Sequence, residues 1–236
     1  MSPFDQGLGE RLKLSFSHLD GKELLAAVLT GDLAGKVAVT SSFGAESAVL
    51  LDLVAQVAPD APVIFLDTDE LFDETVEYRY KLERQLGLTN VITVRPNAEE
   101  LAQAAGLWQT DTDRCCELRK VRPLARATRD YVALVDGRKR AHGFERQHLS
   151  TIETGGGVIK ISPLANWNAE EIEAAFAARN LPRHPLVAQN YRSIGCFPCT
   201  QPVEPGAPAR AGRWAGKAKT ECGIHTLVLG RDGAGI

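Results

Sequence analysis

No stretch of the 236 residues reaches 18 consecutive apolar side chains, which excludes a membrane-spanning helix and a membrane partner. The N-terminus, MSPFDQGLGERLKLSF, lacks the basic start and apolar run of a secretory signal, so a cytoplasmic protein is expected. Aromatic residues make up only 6%, and no short-period repeat or low-complexity tract occurs. A basic stripe interleaved with aromatics is also missing, which argues against a nucleic-acid partner. Of the common phosphate loops there is neither a Walker A GKS/GKT nor a GxGxxG. What remains is 44% hydrophobic and 24% charged, enough for one large core with room for an appended segment.

Charge and cysteine are unevenly spread. Residues 1–113 carry 8 Lys/Arg against 19 Asp/Glu, and residues 114–236 carry 19 against 11. The second half is therefore the place to expect a bound anion. It also holds all five cysteines: Cys115, Cys116, Cys196, Cys199 and Cys222. An odd number of thiols in a reducing compartment disfavours disulfide staples and points to metal binding or redox catalysis.

Short apolar runs alternate with helical patterns. Strands are expected at 36–40, 63–66, 91–94, 131–135 and 158–161. Helices are expected at 22–30, 48–58, 70–87, 97–105, 114–129 (interrupted by Pro123) and 168–179. This alternation predicts an α/β fold with a mainly parallel, doubly wound sheet, and a ligand at the carboxyl ends of its strands. After Pro163 prolines accumulate and the chain turns loop-rich. Residues 1–162 are read as the nucleotide-binding domain and 163–236 as an extension folded back over its site.

The loop Ser41-Ser42-Phe43-Gly44-Ala45-Glu46-Ser47 joins the first strand to a helix. Its hydroxyls, Gly44 and free helix-start N–H groups suit a phosphate; a plain turn with a serine cap is the competing reading. Asp67 and Thr68 end the second strand, either as nucleotide contacts or as a polar strand terminus. Cys115-Cys116-Glu117-Leu118-Arg119-Lys120 and Cys196-Phe197-Pro198-Cys199 place four thiols in two pairs. Four thiolates satisfy tetrahedral zinc or a 4Fe-4S cluster. Adjacent side chains on a helix point about 100° apart, which strains chelation of one compact ion and suits two corners of a cluster better. In Lys217-Ala218-Lys219-Thr220-Glu221-Cys222-Gly223-Ile224-His225, the lysines and the imidazole favour a thiolate at Cys222, and Glu221 opposes it. Gly223 and the apolar TLVLG at 226–230 suit a mobile tail that docks.

Taken together these motifs resemble one family. The SSFGAES loop is similar to that of adenine-nucleotide α-hydrolases of the PP-loop type. FLDTDELFDET, CC-x-x-RK, SIGC-x-PCT, ARAGRW and KTECG-I-H resemble the signatures of thioredoxin-dependent adenylyl-sulfate reductases, within the phosphoadenylyl-sulfate/adenylyl-sulfate reductase family. The resemblance covers about residues 36–226. It implies a 4Fe-4S cluster on Cys115, Cys116, Cys196 and Cys199, with Lys120 between cluster and substrate. It makes Cys222 the nucleophile that attacks the sulfur of adenylyl sulfate, expels AMP and passes through an S-sulfocysteine to thioredoxin. It implies substrate contacts from Ser41, Ser42, Gly44, Gly137, Arg146, Arg210, Arg213 and His225. Residues 137–146 depart from the family pattern at Lys139, Ala141, His142 and Gly143, and YRSIGC stands for the usual YPSIGC. Phosphoadenylyl sulfate as substrate, an ATP-dependent synthetase and a zinc-stabilised nucleotide sensor are the alternatives, and both monomer and homo-oligomer stay open.

Overall fold

Runs rich in Val and Ile form the strands. The structure, a computed structural model, describes residues 3–143, 146–155 and 158–225. β1 (Val37–Ser41), β2 (Val63–Leu66), β3 (Val91–Val94) and β4 (Ala133–Val135) pair in parallel, as do β4 and β6 (Val158–Ile161). β5 (Ile152–Gly155) adds an antiparallel edge to β6, giving the order β3-β2-β1-β4-β6-β5. The order reverses between β1 and β4, and a ligand crevice belongs at their carboxyl ends.

Alternation along each strand sends odd and even side chains to opposite faces. Val37, Val39, Val63, Phe65, Ala133, Val135, Ile159 and Ile161 join one core with helices α2 (Gly21–Leu29), α3 (Ser47–Val57) and α9 (Ala169–Ala178). Ala38, Ile64, Leu134 and Val158 join a second cluster with Leu124 of α8 (Arg122–Ala127). The expected doubly wound α/β sheet, covered on both faces, is present. No described helix is long and apolar enough to cross a membrane.

Most expected elements appear within a residue or two. α4 (Asp73–Leu86) closes on Gly87 in the left-handed region (φ 70°), where glycine carries no Cβ penalty. α5 (Ala98–Ala104) and α9 start with capping boxes, Asn97 with Glu100 and Asn168 with Glu171. Three expectations change. Residues 114–129 are not one helix broken by proline. α7 (Thr112–Cys116) runs into a π-helical turn (Glu117–Val121) and then α8, with Pro123 in its first turn. Pro123 has no N–H to offer the preceding turn, and the break in the ladder falls where the run changes from π to α. The fourth strand begins only at Ala133. Finally, α1 (Pro3–Phe16) and β5 had no strong pattern. β5 forms by pairing with β6, and α1 lies against β5, where a Cβ on Gly9 would come 2.4 Å from Thr154 Cγ2. The connecting helix α6 (Leu107–Thr110) was also unmarked in the sequence.

Candidate active site

The strand ends build a cleft of about 230 Å³ at the β1/β4 switch point. Ser41, Ser42 and Gly44 line it from the loop after β1. Phe43 takes a left-handed backbone (φ 48°) and is fully buried edge-on against Phe65, with ring centroids 5.3 Å apart. That anchor turns the serines outward, and the Phe43 N–H donates to Ser41 Oγ at 3.2 Å. Gly44 is needed for packing as well: a Cβ there would meet the Ile194 carbonyl at 3.3 Å.

Gly137 lines the opposite wall, after β4. The buried Asp136 beside it accepts hydrogen bonds from the Arg138 N–H, Arg138 Nε and Ser162 Oγ at 2.8–3.0 Å. Lys139 and His142 reach across to Glu46 at 2.8 and 3.0 Å, joining the β4 loop to the β1 loop. Burial opposes the charge on Glu46, but His142 and Lys139 outweigh it and hold the carboxyl down to about 2. Arg140, by contrast, donates to the Leu149 carbonyl and is not among the residues lining the cleft.

The third wall comes from residues 192–225. Arg210, Arg213, Cys222 and His225 all line the cleft, as do Arg146 and Lys120. Glu221 is gripped by Arg146 (Nε to Oε1 2.8 Å, Nη2 to Oε1 2.5 Å) and by Arg210 (Nη2 to Oε2 3.3 Å). Arg210 also donates to the Thr220 carbonyl at 2.6 Å. Arg213 stacks on Trp214 at 4.4 Å, and Arg210 and Lys219 approach the same ring at 5.9 and 5.7 Å. Lys219 further pairs with Asp113, and Lys160 donates to the His225 carbonyl. Burial pushes the His225 imidazole down to about 4, so it is neutral at pH 7, with Nδ1 3.6 Å from Asp136.

A second, smaller cavity adjoins the cleft through Lys120, Cys196 and Trp214. Cys115, Cys116, Cys196 and Cys199 all line it, each as a free thiol. The π-helical turn positions this wall. Its Arg119 donates to the Thr68 carbonyl at 2.7 Å and pairs with Glu70 at 3.1 Å. Cys196 sits 3.2 Å from Thr68 Oγ1, and the Phe197 N–H donates to the Glu70 carbonyl at 2.7 Å. Burial pushes the Cys116 thiol up to about 11, against the pull of Lys120. For Lys120 itself, burial works against the charge, but the neighbouring cysteine sulfurs outweigh it and its pKa is raised. Lys120 lines both cavities, with Cys222 in the cleft and the paired cysteines in the smaller cavity.

The expected site residues are thus gathered into two adjoining cavities. Asp67 is the exception among the strand-end contacts: Arg95 holds it at 2.6–2.9 Å, and it does not line the cleft, although Thr68 does. Sequence reading missed the parts played by Glu46, Asp136 and Trp214, and gave Glu221 only a role opposing the thiolate. A carboxylate directly after the apolar strand YVALV was the available signal for Asp136. Glu46 and Glu221 are marked by the partners that the fold brings to them. Arg192, the departure within YRSIGC, also lines the cleft. The TLVLG segment lies outside the described residues.

This arrangement has relatives. The model of the phosphoadenosine phosphosulfate reductase domain matches residues 36–202. The chain belongs to that family. A protein of Chelativorans sp. (strain BNC1), "Adenosine 5'-phosphosulfate reductase", is 52% identical over 81% of this chain and 79% of its own length. A protein of the same description from Mesorhizobium japonicum is 46% identical over 91% and 85%. Among solved structures, phosphoadenylyl-sulfate (PAPS) reductase from Candida auris superposes with a TM-score of 0.67 at 28% identity, covering 80% of this chain and 94% of that one. Yeast FAD synthetase, at 16% identity and a TM-score of 0.55, shares the fold. Within this family the chain is a sulfonucleotide-reducing enzyme of sulfate assimilation.

Proposed function

We propose that the chain reduces adenylyl sulfate to sulfite and AMP with thioredoxin as electron donor, in the cytoplasm. The observation that carries this reading is the position of Cys222: a half-buried thiol lining the same cleft as Lys120, Arg146, Arg210 and Arg213. In this reading residues 163–236 close over the 1–162 domain, the 41–47 loop and Gly137 hold the adenylate half, and Arg146 and Arg210 hold the phosphate. Lys120 and Arg213, nearest the cysteines, hold the sulfate. Guanidinium forks suit such oxyanions.

The chemistry balances as thiol exchange. The Cys222 thiolate attacks the sulfate sulfur, a sulfur–sulfur bond forms, and the bond to the AMP phosphate oxygen breaks with its electron pair leaving on AMP. Fixed cations stabilise that charge. A thiolate of reduced thioredoxin then attacks Cys222 Sγ and expels sulfite. The second thioredoxin thiol resolves the mixed disulfide, so the donor is oxidised and Cys222 returns as thiolate. His225 is neutral in the cleft and serves in substrate binding.

Cys115, Cys116, Cys196 and Cys199 fit a 4Fe-4S cluster. Four free thiols line one cavity, and Arg119 Nε and Trp214 Nε1, on residues lining the same cavity, are buried without a hydrogen-bond partner. Among the described residues, no three His, Cys, Asp or Glu side chains gather to hold a single ion. Bound there, the cluster supplies a fixed negative charge beside Lys120. The deciding experiment is sulfite release from adenylyl sulfate and from phosphoadenylyl sulfate with reduced thioredoxin, on protein purified without oxygen. Turnover of adenylyl sulfate by brown protein is expected. Colourless protein, or turnover confined to phosphoadenylyl sulfate, overturns the reading.

A further inference from the structure

Arg146 and Arg210 are largely buried cations lining the cleft, with side chains 11% and 22% exposed. They are close enough for Arg146 to work against the charge on Arg210, with burial acting the same way. Two such groups need an anion between them. The tail supplies it: one oxygen of Glu221 meets Arg146 and the other meets Arg210, while Arg210 also holds the Thr220 carbonyl. Cys222 is the next residue, its Cα about 3.8 Å further along the chain. The grip on Glu221 therefore fixes where the nucleophile sits.

We infer that Glu221 is the resident occupant of the phosphate subsite, and that the nucleotide's phosphate monoester competes with it for Arg146 and Arg210. The inference rests on the cleft being a nucleotide site, as proposed above. A phosphate and a carboxylate between the same two guanidinium groups are like charges, so binding of one loosens the other. Glu221 is then a positioning residue. It docks the tail while the site is empty, and yields when nucleotide arrives, so that Cys222 becomes answerable to the ligand. Free arginines would bind phosphate more tightly but leave the tail without its anchor.

The test uses AMP and adenosine, which share a base and sugar and differ in the phosphate. Affinities for both are measured on the holoprotein and on Glu221→Gln, which keeps the shape and removes the charge. AMP is expected to bind about tenfold more tightly to the variant, the scale of one charge-assisted contact, and adenosine equally to both. In the unmodified protein AMP should speed alkylation of Cys222 by iodoacetamide, and adenosine should not. This second measurement needs no variant to fold. Unchanged or weaker AMP binding by Glu221→Gln, an equal gain for adenosine, or alkylation indifferent to AMP overturns the inference. Absence of sulfite release from adenylyl sulfate, with AMP and Glu221 still competing, would instead overturn only the proposed reaction.

Discussion

At the scale of single residues, position separates the five thiols. Four line one cavity, while Cys222 lines only the cleft, and Lys120 lines both. Cys222→Ser should therefore abolish sulfite release and leave iron content and the visible spectrum unchanged; loss of iron would make Cys222 a ligand. The arginines divide in the same way. Arg213→Ala should weaken adenylyl sulfate by about 10–100-fold and AMP far less, since AMP has no sulfate. Arg146→Ala should weaken both. Equal losses of the two ligands in Arg213→Ala would move the sulfate contact elsewhere. Glu46 gives a pH signature. Burial opposes its charge, but His142 and Lys139 bring its folded pKa to about 2, below the ordinary 4.5. A depressed pKa contributes stability that is fully present above 4.5 and lost as pH falls toward 2. Glu46→Gln should cost on the order of 1–2 kcal/mol at pH 7, and urea unfolding of the two proteins should converge on acidification. A gap that persists undiminished at pH 3 would mean that the carboxylate charge is not its source.

At the scale of elements, what was legible depended on whether local pattern and tertiary contact agreed. The strands Val37–Ser41 and Val63–Leu66 and the caps of α5 and α9 announce themselves because short apolar runs and Asn-x-x-Glu act within a few residues. α1 and β5 do not, because α1 is held mainly against β5 and β5 by its pairing with β6, contacts that no local pattern shows. The π-helical turn was hidden for a further reason: Pro123 reads as a break, whereas the run passes there from π to α, and the turn aims Arg119 and Lys120 at β2 and the cysteines. Motif spacing found the thiols and arginines of the site. It could not find the bridges Glu46–Lys139 and Glu221–Arg146, whose partners lie far apart in sequence. Residues 191–199 supply the element-scale test. A Cβ on Gly195 would come 2.3 Å from Arg213 Nη2, the mobile end of a side chain. Gly195→Ala should leave the unfolding midpoint nearly unchanged, because the guanidinium can move, and yet raise the KM for adenylyl sulfate. A variant that binds substrate normally would show that Arg213 is free to shift without consequence.

At the scale of the molecule, the C-terminal segment is joined to the sheet domain by one helix and by scattered side-chain bridges, among them Thr75 to His184, Lys160 to His225 and Arg146 to Glu221. α9 buries Ile172 and Phe176 in the main core. Beyond it the chain is mostly turns, and a single-residue bridge from Cys196 to Leu71 ties it to the end of β2. A cluster on Cys115 and Cys116 from the helical side and on Cys196 and Cys199 from this segment would close a long loop. Because its ligands converge only in the folded chain, its binding free energy would add to folding. Serine at any one of the four should then lower iron content and also lower the thermal midpoint. The loss should fall first on residues 192–225, visible as faster amide exchange there while β1, β2 and β4 stay protected. Cys222→Ser is the control, since it removes a thiol from the same segment without touching that cavity. If one of the four serine variants kept full iron and native exchange in 192–225, that cysteine would leave the ligand set. If all four lost iron but exchanged as the parent does, the segment would be held by Arg119, Trp214 and the arginine grip on Glu221, and the cluster would serve the site's electrostatics alone.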